Sequence, residues 1–423
     1  MDLLRLATIG SVDDGKSTLI GRLLHDSKNI FDDQYDHIAA VSRRRGHDVV
    51  DLALLTDGLR AEREQGITID VAHRYFATPR RHFIIADCPG HVQYTRNMIT
   101  GASTADLAVL LVDARHGIVE QTRRHSLLVS LLGVPHLVLC VNKMDLVGYE
   151  EAAFQAIRTQ FEEFAARLDL RDVTFIPISA LDGDNVVERS AHMPWYEGGS
   201  LLHHLESLYI AGDDNLIDVR FPVQYVLRPQ AAGGDEHRDY RGYAGTVAGG
   251  SIRVGDEVAV LPSGLTTRIA RIDTFDGPVD EARSTAAVSL VLEHPLDIGR
   301  GDMICRPHNR PHVGNELEAM VAWMDHDAAL TTGTTYAIKH TTRSARARVT
   351  ELRYRLDIDT LHRDPQATSL RVNEIGRVAL RTTTPLFYDE YRRNRTTGSF
   401  ILIDESTNQT VAGGMLLPPE PTA

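Results

Sequence analysis

Long hydrophobic runs, lysine and cysteine are all scarce in this chain of 423 residues. A candidate transmembrane helix has about 18 consecutive apolar residues, and no stretch of this sequence approaches that length, so the sequence predicts no membrane span. Residues 1–5 do not begin a signal-peptide pattern. The three cysteines, Cys88, Cys140 and Cys305, are odd in number and far apart, which indicates a reducing cytoplasm.

Basic charge is also in short supply. The formal net charge is −13, whereas a protein whose main task is to grip nucleic acid usually shows a basic face. Lysine occurs at four positions only, Lys16, Lys28, Lys143 and Lys339. Residues 339–395 nevertheless hold thirteen Lys or Arg against seven Asp or Glu. Two interpretations stay open for this segment: a solvated strand surface, or a docking face for an acidic partner.

The first half alternates apolar strands with amphipathic helices, which predicts a mostly parallel, doubly wound α/β sheet. The predicted strands are residues 4–9, 82–87, 107–113, 137–142 and 175–178. The predicted helices include residues 16–24, 120–132 and 150–168. Ligands of such a sheet bind at the carboxyl ends of its strands.

The residue pattern changes after about residue 213, where short segments of alternating apolar and polar residues, separated by glycine, replace the helical period. This pattern predicts two small antiparallel β-barrels. The first set of predicted strands comprises residues 218–227, 242–247, 257–261, 267–272 and 287–292. We expect a first domain at 1–213, barrels at 214–311 and 312–417, and a flexible Pro-rich tail at 418–423.

Residues 10–17 read GSVDDGKS and fit the phosphate-binding pattern G-x-x-x-x-G-K-[ST] between a strand and a helix. Backbone N–H groups and the helix N-terminus attract phosphates, Lys16 adds a cation, and the Ser17 hydroxyl suits Mg²⁺. The residues assigned to the nucleotide here are Gly10, Ser11, Val12, Asp13, Asp14, Gly15, Lys16, Ser17 and Thr18.

Three further segments complete a guanine nucleotide pattern. Asp87 and Gly90 close the next core strand, where the carboxylate can hold Mg²⁺ and the Gly90 amide can sense the γ-phosphate. His91 follows in place to orient the attacking water. Cys88 and His91 could also be two metal ligands, but no second Cys/His pair is placed to complete a metal site.

The base-recognition residues follow two later strands. Asp145, in the segment NKMD, can accept two hydrogen bonds from guanine, which adenine cannot offer. The segment SAL would then place a backbone N–H on guanine O6. The residues assigned to the base are Asn142, Lys143, Asp145, Ser179, Ala180 and Leu181.

A mobile switch is expected in the polar segment 56–70, TDGLRAEREQGITID. Thr68 is the hydroxyl that we expect on Mg²⁺ when the γ-phosphate is present, so the predicted metal ligands are Ser17, Thr68 and Asp87.

These segments together resemble elongation factor Tu and its relatives over the whole chain. The resemblance implies a P-loop GTPase domain followed by two barrels, with GTP or GDP and Mg²⁺ as ligands. It also makes Val12 and Ile67 a hydrophobic gate beside His91. The catalytic set that it implies is His91, Lys16, Thr68, Val12 and Ile67.

Within that family the chain resembles the GTPase subunit of sulfate adenylyltransferase, of the CysN type. The resemblance is carried by GSVDDGKSTLIGRLLHDSK, TDGLRAEREQGITIDVAHRYF, GHVQYTRNMITGASTADLAVLLVDARHGIVEQTRRH, PWYEGGSLL, KHTTRSARARV, TLHRD and GSFILID. It implies a small, ATP-binding catalytic partner subunit of the CysD type, no stable nucleic acid and no membrane. GTP hydrolysis would then drive formation of adenosine 5′-phosphosulfate and pyrophosphate from ATP and sulfate.

Two other functions remain as alternatives: an elongation factor that delivers aminoacyl-tRNA, and a binding switch with little turnover. Ser11 and Asp14 stand where elongation factors carry histidine in G-H-V-D-H-G-K, which disfavours the first. His91 and the complete Mg²⁺ set disfavour the second. A fused adenylylsulfate kinase would need a second phosphate-loop lysine, and Gly15-Lys16 is the only Gly-Lys pair in the 423 residues.

Overall fold

The computed structural model describes residues 2–28, 52, 68, 70–170, 172–210, 212, 215–228, 240–358 and 360–419. The chain divides into two compact units, Met1–Ile210 and Ala211–Ala423. Over the described ranges, no helix is both long and apolar enough to cross a bilayer. The same residues contain no group of three His, Cys, Asp or Glu side chains placed to hold a metal ion.

The first unit is built on a six-stranded sheet in the order β2-β3-β1-β4-β5-β6, parallel except between β2 and β3. Its strands are β1 (Leu3–Ile9), β2 (Ala72–Ala77), β3 (His82–Asp87), β4 (Leu107–Asp113), β5 (His136–Asn142) and β6 (Asp172–Pro177). Its described helices are α1 (Lys16–Asp26), α2 (Thr95–Ala102), α3 (Glu120–Leu131), α4 (Glu151–Ala165) and α5 (Leu201–Ser207), with 3-10 turns at Val92–Tyr94 and Met144–Val147. Every residue of β4 is buried, because both faces of a parallel sheet are covered.

The topology of this sheet determines where a ligand can bind. β1 lies between β3 and β4 and pairs in parallel with both, so the strand order reverses at β1. Open α/β sheets bind ligands beyond the carboxyl ends of their strands at such a point. β1 ends at Ile9, β3 at Asp87 and β5 at Asn142, so the phosphate loop and two other predicted motifs emerge at one edge.

The second unit begins with a closed antiparallel barrel. Its strand order is β10-β15-β7-β8-β14-β11-β12, and pairing of β10 with β11 closes the ring. The strands are β7 (Arg220–Leu227), β8 (Gly242–Thr246), β9 (Ser251–Arg253), β10 (Glu257–Leu261), β11 (Thr266–Thr274), β12 (Gly277–Val279), β13 (Glu281–Arg283), β14 (Ala287–Leu292) and β15 (Met303–Cys305). β9 and β13 form a separate ribbon. Closure removes the unpaired edges that an open sheet would expose.

A second closed barrel follows, in the order β18-β23-β24-β16-β22-β19-β20, with β18 paired to β19. Its strands are β16 (His312–Trp323), β18 (Thr335–His340), β19 (Arg343–Leu356), β20 (Arg363–Asp364), β22 (Ile375–Tyr388), β23 (Ser399–Ile403) and β24 (Thr410–Leu416), and β17 (Leu330–Thr331) pairs separately with β21 (Ser369–Leu370). Alternate residues of these strands face one apolar core that includes Trp323.

Two ion pairs join the two barrels, and one of them is buried. The Arg220 guanidinium donates to both carboxylate oxygens of Asp389 at 2.8 Å, and both residues are almost fully buried. Thr397 Oγ1 donates to the same carboxylate at 2.7 Å, and Arg393 pairs with Asp218 at 2.6 Å. Removing one partner of a buried pair costs about 3–5 kcal/mol, so this network holds the barrels in one arrangement.

At least six of the twelve arginines in the basic segment 339–395 have an acidic partner. Arg353 and Arg377 share Glu318 at 2.9 Å and 2.8 Å. The arginines with an Asp or Glu partner are Arg343, Arg346, Arg353, Arg355, Arg377 and Arg393. These carboxylates compensate part of the positive charge of the segment, and both interpretations, a solvated strand surface and a docking face for an acidic partner, stay open.

The predicted strands at 82–87 and 107–113 are confirmed, but the strand predicted at 175–178 runs from Asp172 to Pro177. Helix 150–168 is shorter, at Glu151–Ala165. β2, α2 and α5 were not predicted, because α2 and α5 are too short to show a helical period and β2 is an exposed edge. Of the predicted tail 418–423, residues 418 and 419 lie within the described part.

Candidate functional site

The phosphate loop leaves β1 at Ile9 and turns into α1 at Lys16. Gly15 has φ 93°, a left-handed backbone that favours glycine, and a Cβ there would lie 2.5 Å from the Asn142 side-chain nitrogen. Asp13 also has a positive φ, 68°. The loop therefore depends on glycine both for its backbone angle and for the close approach of Asn142.

The Lys16 ammonium lies inside this loop. Its Nζ donates to the carbonyl oxygens of Gly10 at 2.9 Å and Ser11 at 3.0 Å, and the residue is 8% exposed. Burial lowers the pKa of Lys16, and the charges of Asp87 and Asp14 oppose that shift. The site thus concentrates a positive charge at the edge of the sheet, flanked by two carboxylates.

Asp14 braces the loop. Its Oδ2 accepts a hydrogen bond of 2.6 Å from the Ser11 N–H. Burial raises the pKa of Asp14, while the Ser11 hydrogen bond and the Lys16 charge act in the opposite direction. The side chain stabilises a turn within the loop, as Asp does elsewhere by bonding nearby backbone.

The end of β3 meets the same loop. Asp87 is 2% exposed and accepts a hydrogen bond of 3.3 Å from Thr8 Oγ1. A Cβ on Gly90 would overlap the Gly10 carbonyl oxygen and come within 2.6 Å of Lys16 Nζ. Only glycine can occupy this position, because the backbone at Gly90 passes directly over the phosphate loop.

Asn142 connects the phosphate loop to the base loops. Its Nδ2 donates to the Asp14 carbonyl oxygen at 2.7 Å, and its Oδ1 accepts from the Ala180 N–H at 2.9 Å. Lys143 donates to the Asp13 carbonyl oxygen from the other side of the loop. The three predicted segments are therefore in direct contact.

The base loop is braced in the same way. Ser179 is fully buried and its Oγ donates to Asp145 Oδ1 at 2.8 Å. Arg22 on α1 donates to the carbonyl oxygens of Ala180 and Leu181, while the Leu181 side chain is exposed. The Asp145 carboxylate is thus oriented by Ser179 at the edge where a base can reach it.

Comparisons with known proteins identify the family. The family model described as the elongation factor Tu GTP binding domain matches residues 1–218, and one described as GTP-eEF1A C-terminal domain-like matches residues 316–417. A bifunctional enzyme CysN/CysC of Mycobacterium tuberculosis is 65% identical, covering 98% of this chain and 67% of its own length. Sulfate adenylyltransferase subunit 1 of Bacteroides fragilis is 54% identical, covering 98% of this chain and 86% of its own. The chain belongs to the sulfate adenylyltransferase subunit 1 family.

Membership of this family makes the first unit a GTP-binding domain of the elongation factor Tu type. These matches over 98% of the chain bear out the resemblance to the sulfate adenylyltransferase GTPase subunit and favour it over a tRNA-delivering elongation factor. A solved structure of Sup35 complexed with GDP also aligns with 99% of the chain and 94% of its own length, at 25% identity and a TM-score of 0.44.

Not every predicted site residue is brought to the loop by a described contact. Val12 is 39% exposed, and the His91 imidazole is exposed with the Tyr94 ring edge-on at 6.1 Å. Ser17, Thr18 and Thr68 are half-buried. Ile67 and most of segment 56–70 lie outside the described residues. The gate, metal and water-orienting roles in this family member therefore stay predictions.

Sequence reasoning missed a second set of residues behind the motifs. Asp113, at the end of β4, pairs with Lys143 Nζ at 2.9 Å and with Arg115 at 2.6 Å. Burial of Asp113 opposes its ionisation, but hydrogen bonds from Arg115 and Lys143 outweigh it and hold the pKa well below its usual range. A polar residue ending an apolar strand was the available signal, as at Asp87. Gln121 and His125 on α3 also reach the site, where Gln121 contacts the Gly90 carbonyl oxygen and His125, and no sequence motif predicted these contacts.

Proposed function

We propose that this chain is the GTPase subunit of a sulfate adenylyltransferase. Its GTP hydrolysis drives formation of adenosine 5′-phosphosulfate and pyrophosphate from ATP and sulfate on a separate small ATP-binding subunit. The observation that carries the proposal is similarity to a protein of that name over 98% of this chain, together with one guanine nucleotide pattern gathered at one sheet edge.

GTP binding follows from the charges and donors at this edge. Two of the three Lys16 N–H donors bond to the loop, and the third is left for the β- and γ-phosphates. The α1 N-terminus adds its partial positive charge. Asp145, held by Ser179, reads the guanine N1–H and 2-amino groups, and adenine would leave this carboxylate unpaired.

Mg²⁺ is assigned to Ser17, Thr68 and Asp87. A buried carboxylate at the end of β3, close enough to Lys16 to affect its pKa, fits a hard cation that takes oxygen ligands. When bound, the metal neutralises charge on the phosphates. The chain's own part is to hold those hydroxyl and carboxylate oxygens at the mouth of the loop.

Hydrolysis is assigned to the segment that follows Asp87. The Gly90 N–H would meet the γ-phosphate, and His91 would orient the attacking water, with Val12 and Ile67 forming a gate that His91 must pass. The exposure of His91 and Val12 is consistent with residues that move inward when GTP binds.

Adenylyl transfer is assigned to the partner. The described site serves one guanine nucleotide, and the sequence contains no second Gly-Lys phosphate loop for ATP. We also propose a cytoplasmic location, supported by three free, buried cysteines, and domain limits at residues 213, 311 and 417, supported by the two compact units and the two barrels.

The test is to mix the purified chain with the small subunit and to measure adenosine 5′-phosphosulfate and GDP over a GTP titration. We expect no adenosine 5′-phosphosulfate from the chain alone, GTP-dependent product with both subunits, and a GTPase rate raised by ATP and sulfate. Lys16→Ala should bind GTP weakly and abolish the dependence. Product from the chain alone, or a GTPase rate indifferent to an active small subunit, would contradict the proposal.

A further inference from the structure

Two side chains on α3 hold the backbone at Gly90. Gln121 Nε2 donates to the Gly90 carbonyl oxygen at 3.2 Å and lies 2.8 Å from His125 Nε2. His125 is 2% exposed and Gln121 is half-buried. Because the Gly90 carbonyl belongs to the peptide bond that leads into His91, these contacts determine the orientation of that peptide.

Only one tautomer of His125 is compatible with both contacts. The Gln121 amide nitrogen has two hydrogens, so after bonding to Gly90 the second must go to a lone pair on His125 Nε2. Rotating the amide would set its oxygen against the Gly90 carbonyl oxygen. Burial, with the charges of Lys16 and Arg124, lowers the pKa of His125 to about 3, so the ring is neutral with its proton on Nδ1.

This tautomer leaves a buried donor without a partner. No acceptor bonds to His125 Nδ1 in the part of the chain that the structure describes. The tautomer with its proton on Nε2 would point that N–H at the Gln121 amide hydrogens, and Gln121 would lose its hydrogen bond to the Gly90 carbonyl. Buried polar groups are normally paired, and exceptions concentrate at functional sites. Within the described ranges, His125 thus keeps an unpaired donor, and Gln121 retains its contact with Gly90.

We propose that Gln121 and His125 are positioning residues for GTP hydrolysis. They hold the Gly90–His91 peptide over the phosphate loop, beside Lys16, so that His91 starts from a defined position and Gly90, whose N–H lies in the preceding peptide, stays close to where the γ-phosphate would bind. This inference rests on the proposed function, because it takes Gly90 and His91 as the residues that act on GTP.

The first test is Gln121→Glu, which keeps the size of the side chain but replaces the donor by an oxygen that repels the Gly90 carbonyl. We expect single-turnover GTP hydrolysis to fall roughly 10- to 100-fold, as for other small misplacements of reacting groups. GDP affinity should change less than about twofold, because GDP has no γ-phosphate to meet Gly90. The matched control is Gln155→Glu, the same change at an exposed position of α4.

The second test compares His125→Gln with His125→Asn. The terminal atoms of glutamine occupy the position of histidine Nε2 and can still accept from Gln121, whereas those of asparagine match Nδ1 and cannot. We expect His125→Gln to retain most of the hydrolysis rate and His125→Asn to lose it, with similar melting temperatures.

Equal hydrolysis rates for the two His125 variants, or a Gln121→Glu rate equal to wild type, would overturn the inference. If the hydrolysis rate of each variant falls in proportion to its melting temperature, the inference would also be overturned, in favour of a structural role for the two residues. If wild type itself hydrolyses no GTP, alone or with the small subunit, the proposed function fails instead.

Discussion

Replacing Asn142 by alanine should uncouple the phosphate loop from the base loop. The Asn142 side chain is the bridge between Asp14 and Ala180, and it is 1% exposed. Water therefore has little access to the Asp14 carbonyl and the Ala180 N–H once the Asn142 side chain is removed. We expect the variant to be less stable and to bind GTP more weakly.

The magnitude follows from the two stranded backbone groups. The Asp14 carbonyl loses its donor at 2.7 Å, and the Ala180 N–H loses its acceptor at 2.9 Å. Each buried group left unpaired costs about 1–3 kcal/mol, so the free energy of unfolding should fall by about 2–6 kcal/mol. In the proposed site GTP would contact both loops, and about 1.4 kcal/mol of this loss expressed in binding would give a tenfold weaker affinity.

Asn185→Ala is the matched control. Asn185 is also 1% exposed and also makes two hydrogen bonds, to the Pro177 carbonyl at 2.9 Å and from the Ser190 N–H at 2.8 Å, but it does not touch the phosphate loop. Urea unfolding should show a similar loss for both variants. Titration with a fluorescent GTP analogue should show less than about threefold weakening for Asn185→Ala. Equal GTP affinities for the two variants would refute the reasoning.

Three further changes test other parts of the site and fold. Asp145→Asn should shift preference from GTP to xanthosine triphosphate in a competition assay, and unchanged GTP affinity would contradict the base assignment. His91→Ala should slow single-turnover hydrolysis about 100-fold with near-normal GTP binding; an equal rate would remove His91 from the mechanism. Burial opposes ionisation of Asp218, but hydrogen bonds from Arg393, Asn215 and Asn309 outweigh it and hold its pKa low. The stability that ionised Asp218 contributes is present above its unfolded pKa and is lost as pH falls through its folded pKa. Asp218→Asn should therefore flatten the loss of unfolding free energy below about pH 4. An unchanged slope of unfolding free energy against pH would argue against this role of Asp218.

The motifs were predictable because each is a short segment with its own backbone and side-chain chemistry. The left-handed backbone at position 15 favours glycine, and Lys16 is recognisable because it begins a helix directly after a strand and a glycine-rich loop. The apolar runs at β3 and β4 likewise predicted buried parallel strands, since both faces of such a sheet exclude polar residues. Edge strand β2 and the short helix α5 carried no comparable periodic signal.

The connections among the motifs depend on strand order and could not be inferred from spacing. Asn142 bonds to Asp14 across 128 positions of sequence and to Ala180 across 38, because β1, β4, β5 and β6 lie side by side. Its motif predicted a guanine contact but gave no indication of this bridge. The same holds for the pairing of Lys143 with Asp113.

Gln121 and His125 show the limit most plainly. In sequence they are two polar residues one helical turn apart, a spacing typical of an ordinary exposed face. Packing α3 against β4 buries His125, fixes its tautomer and brings Gln121 to the Gly90 carbonyl. The local chemistry of nucleotide binding is encoded in contiguous residues, whereas the side chains that orient it acquire their roles from distances that exist only after the sheet and helices have assembled.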